Sequence, residues 1–322
     1  MLIVADDLTG AADAAGAFAS AGHRCVVLLG VRHGEAPVVS LDTHSREMSA
    51  SAAFEATAQA VRLNPDRRVF VKIDSTVRGH VKVTVEAALS ALSYRPSRIV
   101  VCPAFPERGR TVFNGWVHVD GIPINGGSLR DVFTRFPAGA GLFIPSARTD
   151  DEIAGIVQSM PDDVLWVGAA GLARHVANRL APTPLQPGSK GDTKAGPESR
   201  PPAARRVVVV AGSQNERTFE QLAALDSATT VIRVDPRADT LRDEIVPSIR
   251  GADALVLTGG HTARSVLDVL GIDTVTIGGE VEAGVPWGTA VHDDRPISIV
   301  TKAGGFGDQQ TMRRAVAFLL GS

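Results

Sequence analysis

Two adjacent carboxylates, Asp6 and Asp7, follow the apolar run Leu2–Ala5 and precede Thr9, Gly10 and an Ala-rich stretch. That order reads as strand, acidic loop, helix, with Thr9 able to cap a helix that begins near Gly10. Open parallel sheets gather ligands at the C-terminal ends of their strands, where this loop would lie. Carboxylates there can take a proton or hold a hydroxyl; the plain alternative is that they cap and solvate a turn. A second polar cluster, KIDSTVRGH (72–80), ends the run Val69–Ile73. Lys72, Asp74, Ser75 and Arg78 supply a cation, an acceptor, a hydroxyl and a guanidinium whose fork matches a carboxylate. Asp74 and Arg78 also read as a cap and its i+4 ion partner. LDTHSR (41–46) adds Asp42, Ser45 and Arg46 after Val38–Leu41, while His44, without ligand-spaced partners, reads as a loop histidine.

Three glycine-containing loops follow apolar runs in the second half: GSQNERT (212–218), TGGHTA (258–263) and KAGGFG (302–307). Each places backbone N–H groups at or near a helix start, an anion site. Ser213, Gly259, Gly260, His261, Thr262, Lys302, Gly304, Gly305 and Gly307 are the candidate nucleotide contacts, with Lys302 either neutralising phosphate or capping a strand end. No GxxxxGK[ST] sequence occurs, so a Walker loop does not hold the phosphates. Trp287, in GVPWG, stands either near a base or in the core. The Pro103–Gly109 stretch reads as a rigid pocket wall with Glu107, Arg108 and Arg110 at its surface.

Phosphoryl transfer to a hydroxyl needs a carboxylate for the nucleophile, a basic clamp for an anionic acceptor and donors around the ATP phosphates, with a divalent metal. All three kinds of group are present. Asp7 is the first candidate base and Asp74 the second; Asp6, Thr9, Asp42, Ser45, Arg46, Lys72, Ser75 and Arg78 are the candidate substrate contacts. Metal ligands stay unassigned.

The elements that position these residues read as α/β: short apolar strands without polar alternation, separated by helical stretches such as Ser51–Arg62 and Lys82–Leu92. At 322 residues the chain exceeds a usual domain, favouring two units of roughly 150 residues. Residues 182–205, rich in Pro, Gly, Ser and charge, read as a flexible linker between units 1–181 and 206–322. The expected fold is two domains, each a mainly parallel sheet sandwiched by helices. Thirty-three basic against 35 acidic residues leave a net charge of −2, so no global field draws nucleic acid or an anionic membrane. Cys25 and Cys102 sit in apolar runs and read as buried thiols in a reducing compartment. No run reaches the ~18 apolar residues of a membrane span, so a cytoplasmic location is expected. Homodimerisation is left open.

In type and order, DDLTGA (6–11), KIDSTVRG (72–79), PAFPERGRT (103–111), GGHTA (259–263) and KAGGFG (302–307) resemble the four-carbon acid sugar kinase family, nearly end to end. The resemblance implies ATP and Mg²⁺ as cofactors and a small acid such as threonate, erythronate or 3-oxo-tetronate as substrate. It also implies that the first unit binds the acid, with Asp6, Asp7 and Thr9 on that side of the cleft, and that the second binds the nucleotide. His261 stands where the family's usual motif has an acid, and Ala303 where it has a serine. A binding protein of the same fold without turnover stays open as an alternative. A dinucleotide oxidoreductase is disfavoured, because no GxGxxG follows a strand with an acid about 20 positions on.

Overall fold

The computed structural model describes residues 1–136, 141–182 and 200–322; most of the 182–205 linker reading thus lies outside the described residues. In the N-terminal half, β1 (Leu2–Ala5), α1 (Leu8–Ser20), β2 (Cys25–Leu29), β3 (Val38–Asp42), α2 (Ala50–Arg62), β4 (Val69–Lys72), α3 (Val81–Ala91) and β5 (Arg98–Cys102) alternate as the apolar pattern predicts. A 3₁₀ turn at Pro106–Arg108 leads to β6 (Arg110–Phe113), β7 (Trp116–Val119), β8 (Ile122–Ser128), α4 (Leu129–Val132) and β9 (Gly141–Phe143). Then come α5 (Asp150–Ser159), β10 (Leu165–Gly168) and α6 (Ala170–Arg179). The C-terminal half comprises β11 (Val207–Ala211), α7 (Glu216–Ala223), β12 (Thr230–Arg233), α8 (Leu241–Ser248), β13 (Ala254–Thr258), α9 (Gly260–Val269), β14 (Thr274–Glu282), β15 (Val285–His292), β16 (Arg295–Lys302) and α10 (Thr311–Leu320).

Both expected helix-covered sheets form. The first, ordered β2-β3-β1-β4-β10-β5-β9, is parallel throughout. The second runs parallel through β12-β11-β13-β16, then turns antiparallel through β15 and β14. One feature goes beyond the expectation: β14 pairs antiparallel with β2, from Thr274 opposite Leu28 to Ile277 opposite Cys25, so the halves share one continuous 13-stranded sheet among the described residues. In each half the connections diverge to opposite sides of the opening strand. The switch points therefore fall between β1 and β4 and between β11 and β13, where α/β sheets open a crevice at their C-terminal edge.

Helix α1 lies where the halves meet. Every residue from Leu8 to Ala19 is buried, which an amphipathic surface helix would not show. Its small side chains permit close packing on both sides: a Cβ at Gly16 would stand 2.9 Å from Pro286 Cβ and 3.1 Å from Glu280 Cγ of the C-terminal half. The helix starts earlier than expected. Asp7, not Thr9, is the N-cap, its Oδ1 accepting from Gly10 N at 2.9 Å, while Thr9 Oγ1 donates to Asp7 Oδ2 at 2.7 Å. A carboxylate accepts an N–H without having to orient a hydroxyl hydrogen, which explains the shift to Asp7.

Candidate active site

The first wall of the cleft is built of paired charges. Arg46 is held between the two carboxylates after β1: Nε donates to Asp6 Oδ2 at 3.0 Å, Nη2 to Asp6 Oδ1 at 2.6 Å and Asp7 Oδ1 at 2.9 Å, and Nη1 to Asp7 Oδ2 at 2.8 Å. Burial pushes Asp6 upward from the usual carboxylate range, and the Arg46 charge only partly offsets it. At Asp7 the same burial is outweighed by Arg46, Lys72, the Thr9 hydroxyl and the Gly10 N–H, so its pKa is depressed. Asp74, after the neighbouring β4, accepts from Arg78 Nε at 3.0 Å and Nη2 at 2.6 Å, and from the Thr76 hydroxyl. Burial raises that carboxyl too, but Arg78, Arg46 and Thr76 together hold it well below its ordinary value. The i+4 pairing of Asp74 and Arg78 therefore exists, in the loop before α3 rather than on the helix.

The second wall is built of backbone. Three loops, after β11, β13 and β16, interlock around Ser213. Gly259, at φ +99°, occupies a conformation suited to glycine, and a Cβ there would be 3.3 Å from Ser213 Cβ; one at Gly304 would overlap Ser213 Oγ. Helix α9 begins at Gly260, so its unpaired N–H groups open toward the cleft. Lys302 is 1% exposed and does not reach the cleft. Its Nζ donates to the carbonyls of Ala303 (2.7 Å), Gly304 (3.0 Å) and Phe306 (3.0 Å) from behind the loop. In a planar trans peptide the N–H opposes the C=O, so drawing those carbonyls inward turns the N–H groups of Gly304, Gly305 and Gly307 away from Lys302. Burial brings the Lys302 pKa down to about 7.

The walls enclose a cleft of about 1250 Å³, and they touch. A Cβ at Gly260 would stand 2.9 Å from Asp7 Oδ2 and 3.2 Å from Thr9 Oγ1. Asp6, Asp7, Thr9, Arg46, Asp74, Ser75 and Arg78 from the first half meet Ser213, Gly259, Gly260, His261, Thr262, Gly304 and Gly305 from the second. Lys72 lies just below, in a smaller pit. Four sequence candidates lie elsewhere. Asp42, fully buried, accepts from Arg264 Nη1 across the halves at 2.8 Å, and Ser45 is 1% exposed against Thr43. Lys302 backs its loop as described, and Gly307 turns the chain at φ +84° against Thr311. Trp287 is core: its ring packs 5.6 Å from that of Phe318 on α10.

Several cleft residues escaped the sequence reading. His44 lines the cleft, its ring 6.0 Å from that of His261. Arg110, read as a surface arginine, also lines it; its Nε is buried without a hydrogen-bond partner, and its guanidinium lies 5.7 Å from the Phe306 ring centroid. Asp13 faces the pit from α1. An acid inside the apolar run Gly10–Ala19 was the available signal for Asp13; nothing local distinguished Arg110. No group of three or more His, Cys, Asp or Glu side chains is placed to hold a metal among the described residues.

Fixed charges facing a wall of backbone amides, on a doubly wound α/β frame, are the parts that a kinase cleft requires. Family models described as a sugar-binding N-terminal domain and a nucleotide-binding C-terminal domain match residues 1–134 and 239–312. The chain is 27% identical to the D-threonate kinase of Bordetella bronchiseptica, covering 97% of this chain and 96% of that protein. It is 25% identical to the 3-oxo-tetronate kinase of Methylobacterium radiotolerans, covering 97% of each. A solved structure from Salmonella typhimurium LT2, provisionally described as a tRNA synthase, shares the fold with a TM-score of 0.75 at 21% identity, over 98% of both chains. With both domains matched and such relatives along its whole length, the chain belongs to the four-carbon acid sugar kinase family. The Bordetella alignment runs over 408 positions against 322 residues here, so that relative carries segments this chain lacks.

Proposed function

We propose that the chain transfers the γ-phosphoryl group of ATP to a hydroxyl of a four-carbon acid sugar: threonate, erythronate or 3-oxo-tetronate. The observation that carries this reading is the contact of the two walls, Gly260 against Asp7 and Thr9, because a phosphate over the α9 N-terminus then abuts the carboxylate. In this reading residues 1–181 hold the acid and 206–322 the nucleotide. The loops at Ser213, Gly259–Thr262 and Gly304–Gly305 cradle the phosphates. Asp7, ionised at neutral pH, accepts or orients the attacking hydroxyl's proton, with Asp74 as the alternative. Arg46 spends all three of its nitrogens on Asp6 and Asp7, whereas Arg78 pairs with Asp74 through Nε and Nη2 only and stays largely exposed, so the substrate carboxylate falls to Arg78 and to Arg110, both of which line the cleft.

A divalent ion, when bound, offsets charge on the transferring phosphoryl group. The cleft offers single carboxylates such as Asp7 and Asp235 but no three-ligand set among the described residues. This suits Mg²⁺ held chiefly by phosphate oxygens and water. A cytoplasmic location fits two free buried cysteines and described helices of which none is long and apolar enough to cross a membrane.

The test is ADP formation by the purified chain with ATP and a panel of D- and L-threonate, D- and L-erythronate and 3-oxo-tetronate. One of these acids should stimulate ADP release well above background. Binding of acid and ATP without any such stimulation would leave a binding protein and overturn the kinase reading.

A further inference from the structure

Beneath the cleft, where the halves meet, lies a pit of about 40 Å³. Asp7, Thr9, Asp74, Ser75 and Arg78 line both spaces, so the pit is the floor of the cleft. Asp13 of α1 and Lys72 of β4 face it from one side, Gly284 and Phe306 from the other. Asp13 is only 7% exposed, and its Oδ1 has no hydrogen-bond partner. A buried carboxylate oxygen left unpaired destabilises the fold, which fits a carboxylate kept at the pit for a ligand rather than for stability. Lys72 Nζ donates to the Ile73 carbonyl at 3.1 Å, one of three N–H groups on the ammonium. Gly284, at φ +75°, keeps the pit open: a Cβ there would stand 3.5 Å from Asp13 Oδ1 and 3.0 Å from Phe306 Cδ2.

The pit holds roughly two or three water-sized groups. The arginines of the pit, Arg46 and Arg78, are already paired with Asp6, Asp7 and Asp74, so a carboxylate or phosphate at this depth would face the unpaired Asp13 with only Lys72 to offset it; a hydroxyl would meet an acceptor and a donor. We propose that the pit is the subsite for a non-reacting hydroxyl of the acid sugar, Asp13 accepting from its O–H and Lys72 donating to its oxygen, so that the chain selects a 3-hydroxy acid over the 3-oxo acid. This rests on the kinase reading above. A ketone oxygen accepts only: it keeps Lys72 but sets one oxygen against another at Asp13. The charged groups around Asp13 are Lys72, Glu280, Arg108 and Arg174, and burial raises its pKa to about 7 despite the three cations. It is therefore mainly an acceptor at pH 8. Near pH 6 it gains a proton and can donate to a ketone, so selectivity fades on acidification.

Calorimetry of the full chain with ADP, at pH 8, tests the proposal without requiring turnover. The wild type should bind threonate or erythronate at least about 10-fold more tightly than 3-oxo-tetronate. Asp13→Asn should lose about 10- to 100-fold on the hydroxy acid, the scale of a hydrogen bond to a charged group, and little on the oxo acid, to which an amide can donate. Lys72→Met should weaken both. Thermal melting separates binding from folding. The folded-state pKa of Asp13 is raised, so its unfavourable effect is absent below the unfolded carboxyl pKa of ~3.9 and complete above 7. Asp13→Asn should therefore melt higher than wild type at pH 8, with the gain vanishing toward pH 4. Unchanged hydroxy-acid affinity in Asp13→Asn, equal losses on both acids, a wild-type preference for the oxo acid, or a lowered melting temperature at pH 8 would overturn the proposal. Selective binding without ADP formation would instead retain the subsite and remove the kinase reading.

Discussion

The two walls of the cleft solve the same problem with opposite materials. In the N-terminal half the charges beside β1 and β4 are matched in advance: Arg46 with Asp6 and Asp7, Arg78 with Asp74. In the C-terminal half Lys302 is hidden behind its loop, and the three loops around Ser213 offer a ligand glycine backbone, beside Arg233 and Arg237. The first arrangement fixes side chains before a ligand arrives, so little reorganisation accompanies reaction. The second removes side chains so that phosphates can approach the amides. A charged wall tolerates little change in chemistry; a glycine wall tolerates little change in volume.

Asp7→Asn breaks the charged wall most severely. The amide keeps the shape and can still accept from Gly10 N, so the N-cap survives, but it cannot take a proton. We expect kcat to fall by about 10²–10⁴-fold, the usual scale of general-base catalysis, on a sample shown to be folded; the melting temperature at neutral pH should fall as well, because the depressed pKa of Asp7 marks a charge that stabilises the fold through Arg46. Near-wild-type kcat on a folded sample would transfer the role to Asp74. Arg110→Lys comes next: it retains charge but loses the planar fork, and KM for the acid should rise by about 10- to 100-fold, or roughly 1.5–3 kcal/mol, with KM for ATP little altered. A rise confined to ATP would place Arg110 on the nucleotide side. In the glycine wall, Gly260→Val tests volume alone. Its Cβ would press on Asp7 Oδ2 at 2.9 Å, and overpacking of this kind costs about 1–3 kcal/mol, so KM for ATP should rise by about 5- to 100-fold. Unaltered ATP affinity in a folded Gly260→Val chain would show that the walls do not meet around the nucleotide.

The same contrast governs what was legible in the sequence. The parallel strands and their loops were readable because buried apolar runs ending in Asp-Asp or Gly-Gly carry both period and punctuation locally. The β2–β14 seam was not, because pairing of edge strands between halves leaves no local mark. Strand β15 carries no clear local strand signal, because Gly284 and Gly288 bracket Val285–Trp287 and glycine argues for a turn; here Gly288 instead admits the backbone of Thr276. Motif reading gathered Asp6, Asp7, Arg46, Asp74 and the glycine loops into one cleft, yet placed Lys302 at its surface. A lysine after a strand does not reveal whether it will turn outward or fold back on its own loop. Arg110 and Asp13 depend on which side chains packing turns into the cleft and its floor, which sequence spacing does not reveal.

The smallest predicted effect lies at the rim, where His261 replaces the acid usual in the related motif. His261 Nε2 is 2.8 Å from Glu47 Oε1, and Arg237 Nη2 lies 2.9 Å from the other oxygen, so Glu47 reaches across from the N-terminal half to two partners. The side chains of His261 and Glu47 are 41% and 59% exposed, and exposed pairs contribute about 0–1 kcal/mol. His261→Ala should therefore raise KM for ATP by no more than about 5-fold, with the difference shrinking as salt is raised. A loss beyond that, or a large fall in kcat, would mean that His261 touches the phosphates. Restoring the acid should do worse than deletion: His261→Glu sets a carboxylate against Glu47, and like charges so close repel. Its KM for ATP should exceed that of His261→Ala at low salt, and adding Glu47→Gln should relieve it. If His261→Glu instead improves ATP use in the presence of Glu47, the acid belongs to the nucleotide site and the rim pairing is incidental.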